Sequence, residues 1–154
     1  MHIYIDCTLS GISGNMLLGA LIDMKPELAD TLTKAVKALE LNGVSVEIKH
    51  ITTKGISATF VDVIEDKPQP HRHYSDLVNL VTSKVDNPRI CNVALNMLKI
   101  LGEAEAAVHN IPLEKVHFHE VVAADTIVAI VGVATLLSEL GVQSISCSAV
   151  PICS

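Results

Sequence analysis

Residues 2–24 read HIYIDCTLSGISGNMLLGALIDM. In HIYIDC, Ile3 and Ile5 alternate with Tyr4 between polar ends, which is the period of a short strand. SGISGN interrupts that period with Gly11 and Gly14. MLLGALIDM then runs apolar as a helix until Lys25-Pro26 ends it. A strand that passes through a glycine loop into a helix sets an α/β reading for the whole chain.

Working outward, a second helix is expected from about Glu27 to Leu41. Leu28, Leu32, Val36 and Leu39 form one stripe, and Asn42-Gly43 supplies a left-handed end. VSVEIKHI alternates as a half-buried strand, with Val44, Val46 and Ile48 on one side. Lys54-Gly55 turns it into ISATFVDVIED, an antiparallel partner. KPQPHRHYSD holds two prolines and reads as a surface loop. Helices are expected over about Ser75–Val85, Pro88–Val108 and Ala123–Leu140, and SISCSAVPI is a last strand. No repeat or linker divides the chain, so residues 1–154 are expected to form a single domain. Its fold class is α/β, with α+β also open: a mixed sheet with one antiparallel hairpin, covered by about five helices.

Composition narrows the functions. The four aromatic residues are Tyr4, Phe60, Tyr74 and Phe118, so the core must be aliphatic and there is no platform for stacking bases. A formal charge of -6 adds no pull toward nucleic acid or anionic lipid. Cys7, Cys91, Cys147 and Cys153 form no C-x-x-C pair, MHIYIDC has no secretory character, and the apolar runs are too short to span a bilayer. A reduced, cytoplasmic protein is expected, with neither nucleic acid nor membrane as partner.

Three constellations could carry chemistry. In the first, Ser10, Gly11, Ser13, Gly14 and Asn15 offer backbone N–H groups and hydroxyls at a helix start, with Asp6 at the strand's end facing the same crevice. A plain strand-to-helix turn with a serine cap is the alternative. The second is HRHYSD. In an extended loop His71 and His73 share a side suited to a borderline metal, while Arg72 on the other side could clamp a phosphate. A solvated surface loop is the plainer alternative. The third is VHFHEVVAADTIVAIVG, Val116–Gly132, where His117 and His119 share a face only if the segment is extended. On a helix they stand about 200 degrees apart. Glu120 and Asp125 there suit a helix N-terminus, which accounts for the acids but not for the histidines. Cys7 beside the glycine loop is either a thiolate or a small core residue.

DCTLSGISGNMLLGALIDM, HRHYSD and EAEAAVHNIPLEKVHFHEVVAADTIVAIVGVATLLSELGV closely resemble, in order over about residues 1–151, the N-terminal region of the LarC family. Those nickel-insertion proteins complete the nickel-pincer cofactor of lactate racemase. The resemblance implies insertion of nickel into pyridinium-3,5-bisthiocarboxylic acid mononucleotide, a lyase-class nickel chelatase step. It also implies a divalent cation, manganese or magnesium, and CTP. On that footing Asp6, Ser10, Gly11, Ser13, Gly14, Asn15 and Arg72 would hold the phosphorylated substrate. His71, His73, His117 and His119 would pass nickel on, and Glu120 or Asp125 would take a proton from the pyridinium carbon.

The chain departs from the family pattern at three positions. Asn15 stands where SGISGDM has an acid. Val122 and Ala129 stand where HFHEVGAVDSIVDIVGA has glycine and aspartate. Family members also continue past the region of Pro151 into a C-terminal portion, where the resemblance puts the CTP site. The chain is therefore expected to act with such a C-terminal half and to be insufficient alone. Self-association as a homo-oligomer through an uncovered aliphatic patch is allowed for. The rival reading is a non-catalytic module that holds a phosphorylated ligand or a divalent metal.

Overall fold

The computed structural model describes residues 1–9, 11–70, 72–116 and 124–150. Strand β1 (His2–Ile5) leads into α1 (Gly14–Met24) and α2 (Leu28–Ala38). The hairpin β2 (Val44–Thr53) and β3 (Ile56–Glu65) follows, then α3 (Tyr74–Lys84) and α4 (Pro88–His109). A short 3-10 turn (Leu113–Lys115), α5 (Ala124–Glu139) and β4 (Ser144–Cys147) complete the order. The α/β class and the five α-helices are as expected.

Parallel and antiparallel pairing are both present, in two separate two-stranded sheets. β1 pairs with β4 in parallel, Ile3 opposite Ile145, and β2 pairs with β3 antiparallel, Ile48 opposite Val61. Lys54 and Gly55, both at positive φ, make the two-residue turn whose twist suits a hairpin. The alternation of β2 is visible in its burial, with Val44, Val46 and Ile48 packed on the core and Ser45, Glu47 and Lys49 turned to solvent.

Helix α5 organises the core. Its composition is apolar all round, as a buried helix requires, and Ile127, Val128, Val131 and Leu136 are sealed from solvent. It packs against α1, α2 and α4. Leu18, Ile22, Leu32, Val36 and Leu98 meet it from those helices.

Two boundaries differ most from the sequence expectation, and the first is β4, which ends at Cys147 before the SAV of the expected last strand. α2 ends at Ala38 rather than Leu41, and Glu40, not only Gly43, takes a left-handed φ of 52°. Leu39 and Glu40 donate to the carbonyls of Val36 and Lys37, which tightens the last turn. The early stop lets Leu39 and Leu41 both be buried, and Glu40 pairs with Lys84 of α3.

Candidate functional site

The glycine loop enters α1 through Ser13, an extended residue whose Oγ accepts from the Met16 N–H at 3.2 Å. That bond satisfies one of the first-turn amides. Gly11, at φ 73°, donates to the Cys7 carbonyl at 3.1 Å and so folds the loop back on the end of β1. Cys7 is buried, and its N–H donates to Ser148 Oγ at 2.7 Å, which answers its two readings with the core one.

Asp6 turns its carboxylate onto Thr8. Oδ1 accepts from the Thr8 hydroxyl at 2.7 Å and from the Thr8 N–H at 2.9 Å. The hydroxyl first, and the amide second, hold its pKa below the usual carboxylate value, with a smaller contribution from Ser148. Asp6 and Gly11 line a mostly apolar cavity of about 320 Å³ between β1 and α1.

Ser13, Gly14 and Asn15 instead line a crevice of about 360 Å³ between α1, α4 and α5. Asp125, Thr126, Ala129 and Ile130 form its α5 wall, and Met97 and Leu101 its α4 wall. The sequence's loop residues are thus divided: Ser13, Gly14 and Asn15 meet Asp125, while Asp6 and Gly11 open elsewhere. Asn15 and Ala129, the two places where the resemblance leads one to expect acids, border the same crevice. Asp125 Oδ1 accepts from the Thr126 N–H at 2.6 Å and lies within 3.3 Å of the Thr126 hydroxyl.

The helix that carries Asp125 is capped from β3. Glu65 Oε1 accepts from the Ala124 N–H at 2.9 Å, placing a second carboxylate at the positive end of α5. Sequence reasoning missed Glu65, because it spells only the polar end of an alternating strand. A further cluster went unread. Thr59 Oγ1 donates to Asp23 Oδ1 at 2.8 Å, with His50 Nδ1 at 3.3 Å, beside a groove of about 600 Å³ that also reaches Ser13 and Asn15.

His73 starts α3, with its N–H donating to Asp76 Oδ2 at 2.8 Å, and half-buried Arg72 precedes it. Directly after His73, the Tyr74 N–H donates to the Val116 carbonyl at 3.3 Å. Tyr74 of HRHYSD and Val116, the first residue of VHFHE, therefore lie side by side. Gly102, next to Leu101 of the crevice wall, admits the Tyr74 ring, since a β-carbon there would stand 3.0 Å from it. Ser10, His71, His117, His119 and Glu120 lie outside the described residues, as does Val122. Among the described residues no three His, Cys, Asp or Glu side chains are grouped to hold a metal ion. No helix among them is long and apolar enough to cross a membrane.

Comparison with known proteins is consistent over the whole length. The family described as "Nickel insertion protein" matches residues 3–154. A relative from Thermomicrobium roseum is 41% identical over 152 residues, covering 97% of this chain and 36% of that protein. The "Pyridinium-3,5-bisthiocarboxylic acid mononucleotide nickel insertion protein" of Geobacillus kaustophilus is 36% identical over 160 residues, covering 97% and 38%. The protein of the same name from Staphylococcus epidermidis is 33% identical over 149 residues, covering 97% and 37%. The chain thus spans little more than a third of the length of these curated relatives. No solved structure matches it.

Proposed function

Because this chain belongs to the nickel insertion protein family, we propose that it receives nickel and delivers it to a pyridinium-3,5-bisthiocarboxylic acid mononucleotide, in the cytoplasm. In this reading it works as one portion of a longer nickel insertion protein. The carrying observation is the Tyr74–Val116 hydrogen bond. It joins the backbone beside His73 to the backbone beside His117, and the Tyr74 ring lies against Gly102, the residue after Leu101 of the crevice wall. His71, His73, His117 and His119 are the nickel-handling groups in this reading, since imidazole binds that ion well without being as soft as thiolate. Nickel is cargo here, held and passed on.

The substrate's phosphate goes to the start of α1, at Ser10, Ser13, Gly14 and Asn15, where first-turn amides and the helix dipole favour an anion. Arg72 adds a second clamp, and Gly11 keeps the loop folded back. Asp6 lies on the far side of that loop and shapes it through Thr8. Glu120 or Asp125 takes the proton displaced from the pyridinium carbon when the metal bonds there.

The resemblance also implies a manganese or magnesium ion and CTP. Asp125 is the only carboxylate among the described residues lining the crevice, and its Oδ1 already accepts from Thr126. Such ions ask for about six oxygen ligands, so these residues do not fit one. The cation and CTP belong, in this reading, with the portion of the relatives that this chain does not span. The lack of carboxylates at Asn15 and Ala129 favours a second reading, a non-catalytic module holding a phosphorylated ligand.

Calorimetric titration with nickel separates the two. Stoichiometric nickel binding that is lost in His117→Ala/His119→Ala, with weaker manganese binding, is the expected result. Absence of nickel binding by the unaltered chain would leave the module reading standing and remove the first.

A further inference from the structure

The sheet of β1 and β4 is narrower than the helices beneath it. Two strand axes are about 5 Å apart, whereas packed helices stand roughly 8–10 Å apart, and α1, α5 and α4 make a run of three neighbours. The surplus opens beside β4 as a cavity of about 240 Å³, walled by Arg89, Val93, Ala134, Leu137, Val142 and Ile145. Ile145 shares a face with its register partner Ile3, which packs on the core, yet Ile145 remains 46% exposed. All four residues of β4 are exposed, and among the described residues the strand pairs only with β1.

The direction of the free groups follows from the ladder. Ser148 donates to the Ile5 carbonyl at 3.0 Å, on the β1 side, as the pairing of Ile5 with Cys147 requires. Amides alternate in direction along a strand, so those of Ser146 and Ser144 also face β1 and those of Ile145 and Cys147 face the outer edge. An open edge of this kind is a template for another strand, and parallel pairs are ordinarily enclosed within larger sheets.

We propose that a β-strand from the portion of the longer relatives that this chain does not span adds to the outer edge of β4. It sets an apolar side chain into the cavity over Val93 and Leu137. Length argues for this occupant: the matched region is 36% of the Thermomicrobium protein and 38% of the Geobacillus one, leaving more than half of each to be docked. Arg89 selects the strand's chemistry. One Nη2–H holds the Val142 carbonyl at 2.8 Å, and the other guanidinium donors at the rim of the cavity suit a carboxylate on the incoming strand. The inference rests on the reading that the chain acts as one portion of a longer protein, but its test reads strand protection rather than nickel.

Amide hydrogen exchange is measured on three proteins. They are the 154-residue chain, a fusion of it to the remaining portion of the Thermomicrobium relative in that protein's order, and the full-length relative. Ile145 and Cys147 are expected to exchange freely in the chain alone. In the fusion, and at the matching strand of the relative, exchange slows at least tenfold. Cys147→Pro, which removes one outward N–H, abolishes the slowing at Ile145 in the fusion. Fast exchange in either the relative or the fusion overturns the proposal. Slowing that survives Cys147→Pro overturns it too. So does protection in the chain alone together with a dimer in sedimentation, which would assign the edge to a second copy.

Discussion

Gly14 of α1 lies so near Ala129 of α5 that a β-carbon on the glycine would stand 2.5 Å from the alanine's own. The start of α1, and with it the crevice wall, is seated on α5 at that contact. Gly14→Ala must push the helices apart or tilt α1, an overpacking that costs about 1–3 kcal/mol. Thermal unfolding of a chain of this size should fall by about 2–4 °C for each kcal/mol. An unchanged Tm would mean that the contact has slack and does not position α1.

Asn15 and Ala129 border one crevice with Asp125. Asn15→Asp/Ala129→Asp would gather three carboxylates there, which repel one another without a cation and can share one when it is present. The double variant is expected to lose stability in metal-free buffer. Manganese should restore it, with an affinity at least tenfold above that of the unaltered chain. Manganese that raises the Tm of both proteins equally would exclude the crevice as a cation site.

Asp6 is held ionised mainly by the Thr8 hydroxyl and then by the Thr8 amide. A carboxylate whose folded pKa is depressed adds stability above its unfolded pKa, about 3.9. That contribution is lost as pH falls through the lower folded value. A carboxyl carbon-13 titration should place the Asp6 midpoint below the ordinary range. Thr8→Val, which keeps the amide but removes the larger cause, should move it part of the way back. An identical midpoint in both proteins would show that the hydroxyl is not the cause.

Glu65 serves the N-terminus of α5 by accepting from Ala124. Glu65→Ala leaves that buried helix with an unmet amide, at a cost of about 0.5–2 kcal/mol. Glu65→Gln keeps an acceptor and loses only the charge facing the helix dipole, about 0.3–1 kcal/mol. Urea unfolding is expected to rank the unaltered chain above Gln and Gln above Ala. Equal midpoints for the two variants would show that the hydrogen bond contributes little beside the charge.

The sequence by itself determined the elements. Val44, Val46 and Ile48 announce β2 because alternation is a property of neighbouring residues. The unbroken apolar run from Ile127 announces a buried helix for the same reason, and the motifs around His71–Asp76 and Val116–Asp125 announce the family. Tertiary structure decided which distant pieces meet. It put Asn15 opposite Ala129, led Tyr74 to Val116, brought Glu65 to Ala124, and sent Asp6 to a different cavity from Ser13. It also divided the strands between two sheets, leaving β4 with β1 as its one partner among the described residues. The physical reason is that local period records only which face of an element is apolar. How two such faces settle depends on close approaches such as Gly14 on Ala129, made by residues far apart in the chain.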